Sequence, residues 1–379
     1  GRQGLEPTFI NREGSNGLLC YATSKDGIHW EKPDLGLIEF GGSKHNNLVR
    51  LGMGERPDLI SASVLYDPED PDPSRRFKVV AQPRLYRSRF AVAFSPDGFE
   101  WTPSPRNPVG PWLELCGLTK IGDCYFLNGQ ATYTYQFGPT TRRLSTFCSY
   151  DFETWSSCPA PGLNRTPLMM GPLWEDQENK WEEIHMGAGL WNRGNVILGI
   201  YGQWHGIPSG DRRQLTMDLG FAITHDGLHF VEPIPNFPMV QAAEERDLIP
   251  GFAPALMQGQ AFANLGDKTY HWYSCWRRDG QVRLATWDRD RLGYLQLFRL
   301  KAPGEVITCP IQVSEASGKS ASVYVNADGL GEWSELTVEV LDREFRPVPG
   351  FSGEDCLPVR ESGLRVPIVW RGGKTLPSI

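Results

Sequence analysis

Residues 21–33 read YATSKDGIHWEKP, residues 91–103 AVAFSPDGFEWTP and residues 221–233 FAITHDGLHFVEP. In each, an alternating apolar strand meets Asp-Gly, the pair best suited to the positive φ angles of a tight hairpin, and an aromatic residue then opens the next strand. A fourth copy covers 149–155 and a degraded fifth covers 286–292. Measured between first residues, the copies stand 71, 54, 75 and 62 residues apart (24 to 95, 95 to 149, 149 to 224, 224 to 286). Those intervals are too long for a solenoid and close to one four-stranded blade with its loops. The chain therefore reads as an all-β protein built on a five-bladed β-propeller, with blades ending near residues 35, 106, 160, 237 and 300. Asp26, Asp97, Asp151 and Asp226 are turn formers in this reading.

Composition agrees. The 379 residues include 41 Gly and 30 Pro, which punctuate short strands, and 13 Trp with 12 Tyr, which supply broad faces for packing blades or stacking on sugars. A net charge of −7, spread without runs, argues against a nucleic-acid or anionic-membrane partner. No segment is long and apolar enough to span a bilayer. The eight cysteines show no metal-like spacing and mostly sit in apolar strand patterns, so they read as buried free thiols. Cys148 and Cys158 flank one hairpin and could bridge. The seven histidines are not at zinc spacings and no calcium-loop consensus is present, so neither a metal nor a cofactor is expected.

Residues 1–302 make the propeller in this division. After Leu300 the repeat stops, and short alternating strands such as ASVYVNA and ELTVEVLD predict a small C-terminal β-sandwich over 303–379. The first hairpin is already reached at Ser24, so the opening blade is expected to lack its innermost strand. The ending GGKTLPSI reads as a turn awaiting another strand, and both ends are thus expected to be truncated.

The order of propeller and sandwich, the SKDGIHWEKP-type hairpins and one acidic segment resemble the invertase- and levanase-type glycoside hydrolases of family 32, with the arabinanase-type enzymes of family 43 as structural cousins. The acidic segment is Glu114-Leu115-Cys116-Gly117-Leu118-Thr119-Lys120-Ile121-Gly122-Asp123. In the resembled families the general acid is a Glu that opens the inner strand of a middle blade, and Glu114 falls in that place. The alternative is a rim carboxylate capping a strand that enters from Pro111-Trp112. The resemblance implies hydrolysis of O-glycosidic bonds in a poly- or oligosaccharide, and an extracellular or periplasmic location. The competing class is a propeller that binds carbohydrate without turning it over.

Glycoside hydrolysis takes two carboxyl groups, one protonated and one ionised, about 5 Å apart for retention or about 6.5–9.5 Å for inversion. The families' nucleophilic Asp, in a Trp-Met-Asn-Asp-Pro-like segment of the first blade, has no counterpart here; its expected position precedes Gly1. Their substrate-binding Arg-Asp-Pro motif corresponds to a departing stretch that begins Arg56-Pro57-Asp58, where Asp58 stands closest to a strand head. Glu183 heads the inner strand of the fourth blade much as Glu114 heads the third, and is the second acid candidate. Around it the sequence clusters His185, Trp191, Arg193, Trp204 and His205, suited to hydrogen-bonding hydroxyls and stacking on sugar rings. Gln258 and Gln260 in the fifth blade suit hydroxyl recognition near the pore. Asp218 opens an outer strand and reads as structural.

Overall fold

The computed structural model describes residues 17–54, 59–134, 140–165, 182–206, 211, 213–245, 249–276, 282–297, 302–308, 310–311, 321–373 and 376. The chain divides into two units, one of residues 1–265 with 269–286 and one of 266–268 with 287–379.

The first unit is a propeller of antiparallel sheets. The first sheet runs β1 (Leu59–Tyr66), β2 (Phe77–Pro83), β3 (Ala91–Ser95), β4 (Thr102–Pro103), in that order from inside outward. The second is β5 (Glu114–Ile121), β6 (Cys124–Thr134), β7 (Thr140–Ser149), β8 (Ala160–Leu163). The third is β9 (Glu182–Asn192), β10 (Ile197–His205), β11 (Thr216–Thr224), β12 (Pro238–Val240). The fourth has three strands, β13 (Leu256–Leu265), β14 (Lys268–Cys275) and β15 (Val282–Asp288).

Among the described residues four sheets are therefore formed in this unit where five blades were expected. The opening blade is represented among the described residues only by isolated bridges, Gly17 with Leu59, Cys20 with Leu48 and Thr23 with Glu31. Gly36, Gly41, Gly42 and Pro33 interrupt this stretch, and Ile28, Trp30 and Phe40 remain exposed. A lone hairpin without a third strand has little ladder to hold it regular.

The turns behave as the repeat requires. In the first, Ser24 Oγ accepts from Gly27 N–H (2.7 Å), Asp26 Oδ1 accepts from Ile28 and His29 N–H (2.8 Å each), and the Trp30 indole donates to Gly27 O (3.2 Å). Ser95, Asp97 and Trp101 repeat this pattern, as do Ser149, Asp151 and Trp155. Thr224 and Asp226 repeat its first two parts. The fourth position has φ of +74° at Gly27, +83° at Gly98, +66° at Phe152 and +76° at Gly227. These aspartates are structural acceptors. Burial pushes the Asp151 carboxyl up, but the N–H groups of Thr154 and Glu153 outweigh it and hold the group down at about 2. In the fifth copy Asp288 pairs with Lys268 (2.6 Å) and the positive φ moves to Asp290.

The inner strands carry irregularities at matching places. Ile60 and Ser61 of β1 oppose the single residue Gln82, and Cys116 and Gly117 of β5 oppose the single residue Asn128. In β9, Met186 and Gly187 are extra between the pairs His185–Gly202 and Ala188–Tyr201. A bulge leaves ladder groups unpaired and bends the strand; here side-chain amides, those of Asn128 and Gln258 buried and that of Gln260 exposed, bond main-chain groups beside the bulges and tie blade to blade. Asn128 Oδ1 accepts from Ala188 N–H (2.9 Å) and its Nδ2 donates to Ala188 O (3.0 Å). Gln258 Nε2 donates to His185 O and Gly187 O (2.7 Å each). Gln260 Nε2 donates to Ala62 O (3.0 Å). Close approach at the centre needs glycine: a Cβ on Gly189 would stand 2.1 Å from Gly259 O.

Apolar clusters fill the spaces between these sheets. Phe90, Leu113, Leu115, Leu127, Phe147, Phe152 and Trp155 form one and Leu144, Ile184, Ala188, Tyr201 and Phe230 another, each drawing residues from consecutive sheets. Among the described residues no helix is long and apolar enough to cross a membrane.

The second unit contains the two-stranded sheet of β16 (Tyr324–Ala327) and β17 (Gly363–Pro367), with isolated bridges such as Leu336–Val359 and Cys356–Trp370. Its core is Phe351, Cys356, Val359, Ile368 and Trp370. The regular ladders expected of a sandwich are not formed among its described residues.

Candidate active site

β5 begins on Glu114 and β9 on Glu182 and Glu183, so the heads of two neighbouring inner strands bring carboxylates to one end of the propeller. Gln130 of β6, paired in register with Glu114, joins them. Its Nε2 donates to Glu114 Oε2 (3.0 Å) and its Oε1 accepts from Met186 N–H of β9 (3.1 Å). Glu114 is partly buried. Sequence reasoning passed over Gln130, whose only signal is a polar residue inside the apolar pattern of β6.

Glu183 is fully buried. Its Oε1 accepts from Arg142 N–H (3.2 Å), and its Oε2 lies 3.7 Å from the Arg142 guanidinium. That guanidinium in turn covers the Trp204 ring at 4.2 Å. His185, 4% exposed, stacks on Trp204 (centroids 5.5 Å, 25°) and touches Trp276 (5.1 Å). Trp204 has no exposed surface and its indole donates to Gly206 O (2.9 Å). It packs between sheets with Leu215, Met217 and Ala255, and so presents no face to a sugar ring. Glu183, His185 and Trp204 are brought together, but as a sealed layer.

Adjacent Glu182 faces the other way, since successive strand residues alternate. It bonds Arg165 (Oε2 to Nη2, 2.5 Å) and His205 (Oε1 to Nδ1, 2.7 Å); His205 Nε2 reaches Asp218 Oδ2 (3.0 Å). Arg165 also bonds Glu232 (2.9 Å) and the Tyr201 hydroxyl (2.8 Å), and Tyr201 O–H contacts Glu232 in turn. Burial alone would lower the His205 pKa, but the Asp218 and Glu182 carboxylates outweigh it and lift it to about 9. Burial raises Glu182, yet its bonds to His205 and Arg165 leave it below its ordinary value, and it keeps about a quarter of its side chain exposed (28%). His205 is thus a fixed cation at neutral pH. Asp218 also accepts from Ala242 N–H (2.6 Å).

Trp191 and Arg193 lie at the far end of β9, roughly 20–25 Å along the strand from Glu183. There Trp191 is stacked between Phe262 (5.4 Å, 8°) and the Arg193 guanidinium (4.3 Å). They belong to the opposite rim, because a strand of eleven residues spans the blade and sequence proximity does not make proximity in space. Gln258 has both amide hydrogens committed to the β9 bulge, whereas Gln260 remains exposed, with the Ser63 hydroxyl 2.9 Å from its Oε1. Asp58 lies outside the described residues.

His271 is fully buried, donates through Nδ1 to Ala261 O (3.1 Å), and is pushed down to about 4 by burial, so its imidazole is neutral. Among the described residues no group of three or more His, Cys, Asp or Glu side chains is arranged to hold a metal ion. The seven described cysteines are all free, and only Cys116, Cys275 and Cys356 are buried.

No protein-family model matches the chain, and no curated protein does. Among solved structures it is similar to a variant GH32 β-fructofuranosidase from Bombyx mori in complex with sucrose (15% identity, TM-score 0.34, covering 52% of this chain and 38% of that one). It is also similar to a glycosyl hydrolase from Bacteroides ovatus (14% identity, TM-score 0.42, 72% and 76%). A third is a variant fructofuranosidase from Schwanniomyces occidentalis complexed with fructosylnystose (15% identity, TM-score 0.38, 67% and 45%). The chain thus spans less than half the length of the two fructofuranosidases.

Proposed function

We propose that the propeller acts on carbohydrate as a glycoside hydrolase, at the end where β5 and β9 begin. The observation that carries this reading is the junction of two carboxylate-bearing strand heads on neighbouring blades, coupled through the Gln130 amide. In the proposed chemistry Glu114, oriented by Gln130, donates a proton to the leaving glycosidic oxygen, and an ionised carboxylate attacks the anomeric carbon or activates water. Of the residues heading β9, Glu182 suits the ionised role better than Glu183, because it retains exposed surface and its neighbours hold it charged. Gln260, exposed beside Ser63, is available to sugar hydroxyls. We read residues 17–54 as the remains of a fifth blade, residues 303–379 as a β-sandwich, and the protein as extracellular or periplasmic.

A second reading, sugar binding without turnover, is favoured by the sealing of Glu183 beneath Arg142, which takes that carboxylate out of reach of a glycosidic bond. Reducing-end assays on a polysaccharide panel, paired with binding measurements, separate the two. Wild-type turnover that Glu114→Gln lowers by ~10²–10⁴-fold, with unchanged melting, supports hydrolysis. Saturable sugar binding with no turnover supports the binder, and neither signal on any substrate overturns both.

A further inference from the structure

A cavity of about 270 Å³ opens between the first two sheets, lined by Arg75, Phe94, Thr102 and Glu153 among others. Arg75 stands just before β2, and Glu153 follows the last residue of β7, Ser149. Ser149 pairs with Tyr125, and Tyr125 with Lys120 near the tail of β5. The cavity is therefore at the end of the propeller opposite Glu114, with β5 spanning roughly 20–25 Å between the two ends. One wall is apolar, made by Phe94 with Pro96, Pro103 and Pro105. The Arg75 guanidinium covers the Phe94 ring at 3.8 Å, bonds Glu153 (Nη1 to Oε2, 3.1 Å) and donates to Asp151 O (2.9 Å). The Ser104 hydroxyl donates to the other oxygen of Glu153. Asp72 and Thr102 complete the polar part of the lining. Asp72 Oδ1 accepts from the Ser74 N–H (2.9 Å) and hydroxyl (2.7 Å), whereas Asp72 Oδ2 and the Thr102 hydroxyl have no hydrogen-bond partner among the described residues.

We propose that this cavity is a carbohydrate site separate from the strand heads, taking one uncharged sugar ring. The lining joins an apolar wall to a few hydrogen-bonding groups, which suits a ring whose C–H face is apolar and whose hydroxyl edge is polar. The volume falls just below the ~300–1,000 Å³ of pockets for drug-sized molecules, so it has room for one ring and not for a chain. Charge excludes the other small ligands. Arg75 is already matched by Glu153, so an anion meets no unpaired cation, and a cation drawn to Asp72 would share the cavity with the Arg75 guanidinium. A sugar instead donates one hydroxyl to Asp72 Oδ2 and exchanges a hydrogen bond with the Thr102 hydroxyl through another, its C–H face on the prolines. Binding here uses none of the carboxylates at the strand heads, and it stands whether or not the chain cleaves sugars. With turnover, it gives a polysaccharide a second point of attachment.

The methyl glycosides of glucose, galactose, fructose, arabinose and xylose are titrated into the whole chain, with binding read by saturation-transfer NMR and calorimetry. At least one should bind saturably, with a Kd on the order of 1 mM for so small a ligand. Asp72→Ala should weaken that binding about tenfold or more, and Thr102→Trp, which fills the cavity with an indole, should abolish it. Both positions are exposed, and thermal melts check that the variants fold; Asp72→Ala decides alone if Thr102→Trp does not. Glu114→Gln should bind as the wild type does. No saturable binding of any of the five sugars, or an unchanged signal in folded Thr102→Trp, overturns the proposal. Loss of binding in Glu114→Gln would place the sugar at the strand heads, overturning this site while leaving the glycosidase reading intact. Binding that Thr102→Trp removes, in a chain with no turnover on any polysaccharide, would sink the glycosidase reading and uphold this one.

Discussion

The Trp272 indole N–H donates to the Gly27 carbonyl at 2.8 Å, joining residues 245 apart in sequence. Trp30 meets the same indole edge to face, with ring centroids 5.8 Å apart. The first hairpin of the repeat is thereby held against the fourth sheet, although it forms no regular sheet of its own. The contact depends on glycine. A Cβ at Gly27, where φ is +74°, would stand 2.7 Å from Trp272 Cζ2 and 3.0 Å from Tyr270 Cδ2.

Gly27→Ala should therefore destabilise by more than the ~1–2 kcal/mol of a left-handed backbone alone. Gly41→Ala isolates that backbone share, because Gly41 has φ +61° with nothing within 4 Å of its Cβ position. Urea denaturation of both variants checks the difference. Equal midpoints would mean that the hairpin does not press on Trp272 in solution.

Asn128 bonds both the N–H and the carbonyl of Ala188 on the next blade, in full burial. Replacing it by Leu strands two buried main-chain groups, each worth about 1–3 kcal/mol unpaired. Asn128→Leu should lower stability by roughly 2–6 kcal/mol. A loss under about 0.5 kcal/mol, the scale of an ordinary surface change, would show that another group takes over the bulge.

Arg142 and Glu183 form a buried pair whose halves should be unequal to the whole. Arg142→Met removes a cation from beside a buried carboxylate, at about 3–5 kcal/mol, while the double variant Arg142→Met/Glu183→Leu should regain much of that loss. A double-mutant cycle measures the coupling. Strict additivity would mean that the pair is not the interaction that holds β7 to the head of β9.

The His205 network predicts a pH slope on the alkaline side. Its folded pKa, about 9, stands above the unfolded value near 6.5, so its contribution to stability is complete below about 6.5 and disappears as pH rises through about 9. Stability should fall between pH 7 and 10, and His205→Gln should flatten that fall. Glu182 and Asp218 are depressed, so their shares are present above the ordinary carboxylate range and vanish as pH drops below it. A titration of the His205 ring by NMR near its ordinary value would contradict the double carboxylate clamp.

The sequence alone determined the local chemistry of the repeat. Asp-Gly with a preceding Ser or Thr makes the same turn wherever it stands, because its bonds are satisfied within seven residues, and the Asp26, Asp97, Asp151 and Asp226 turns were legible for that reason. Strand heads were legible too: Glu114 opens β5, and Glu183 is the second residue of β9, which Glu182 opens. What only the tertiary structure decided is which side of each strand faces water and which end faces which neighbour. Glu183 and Glu182 are adjacent in sequence, yet one is sealed under Arg142 and the other bonded to Arg165 and His205, because alternation sends them to opposite sides of the sheet. Trp191 was placed near Glu183 by sequence and lies at the far rim, since strand length sets their separation. The bulges in β1, β5 and β9 carry no local signal, and the amides of Asn128, Gln130 and Gln258 that bond main-chain groups beside them show in the sequence only as polar residues among apolar ones. Their partners belong to other blades, and the need for a hydrogen bond arises only when packing removes water from both groups.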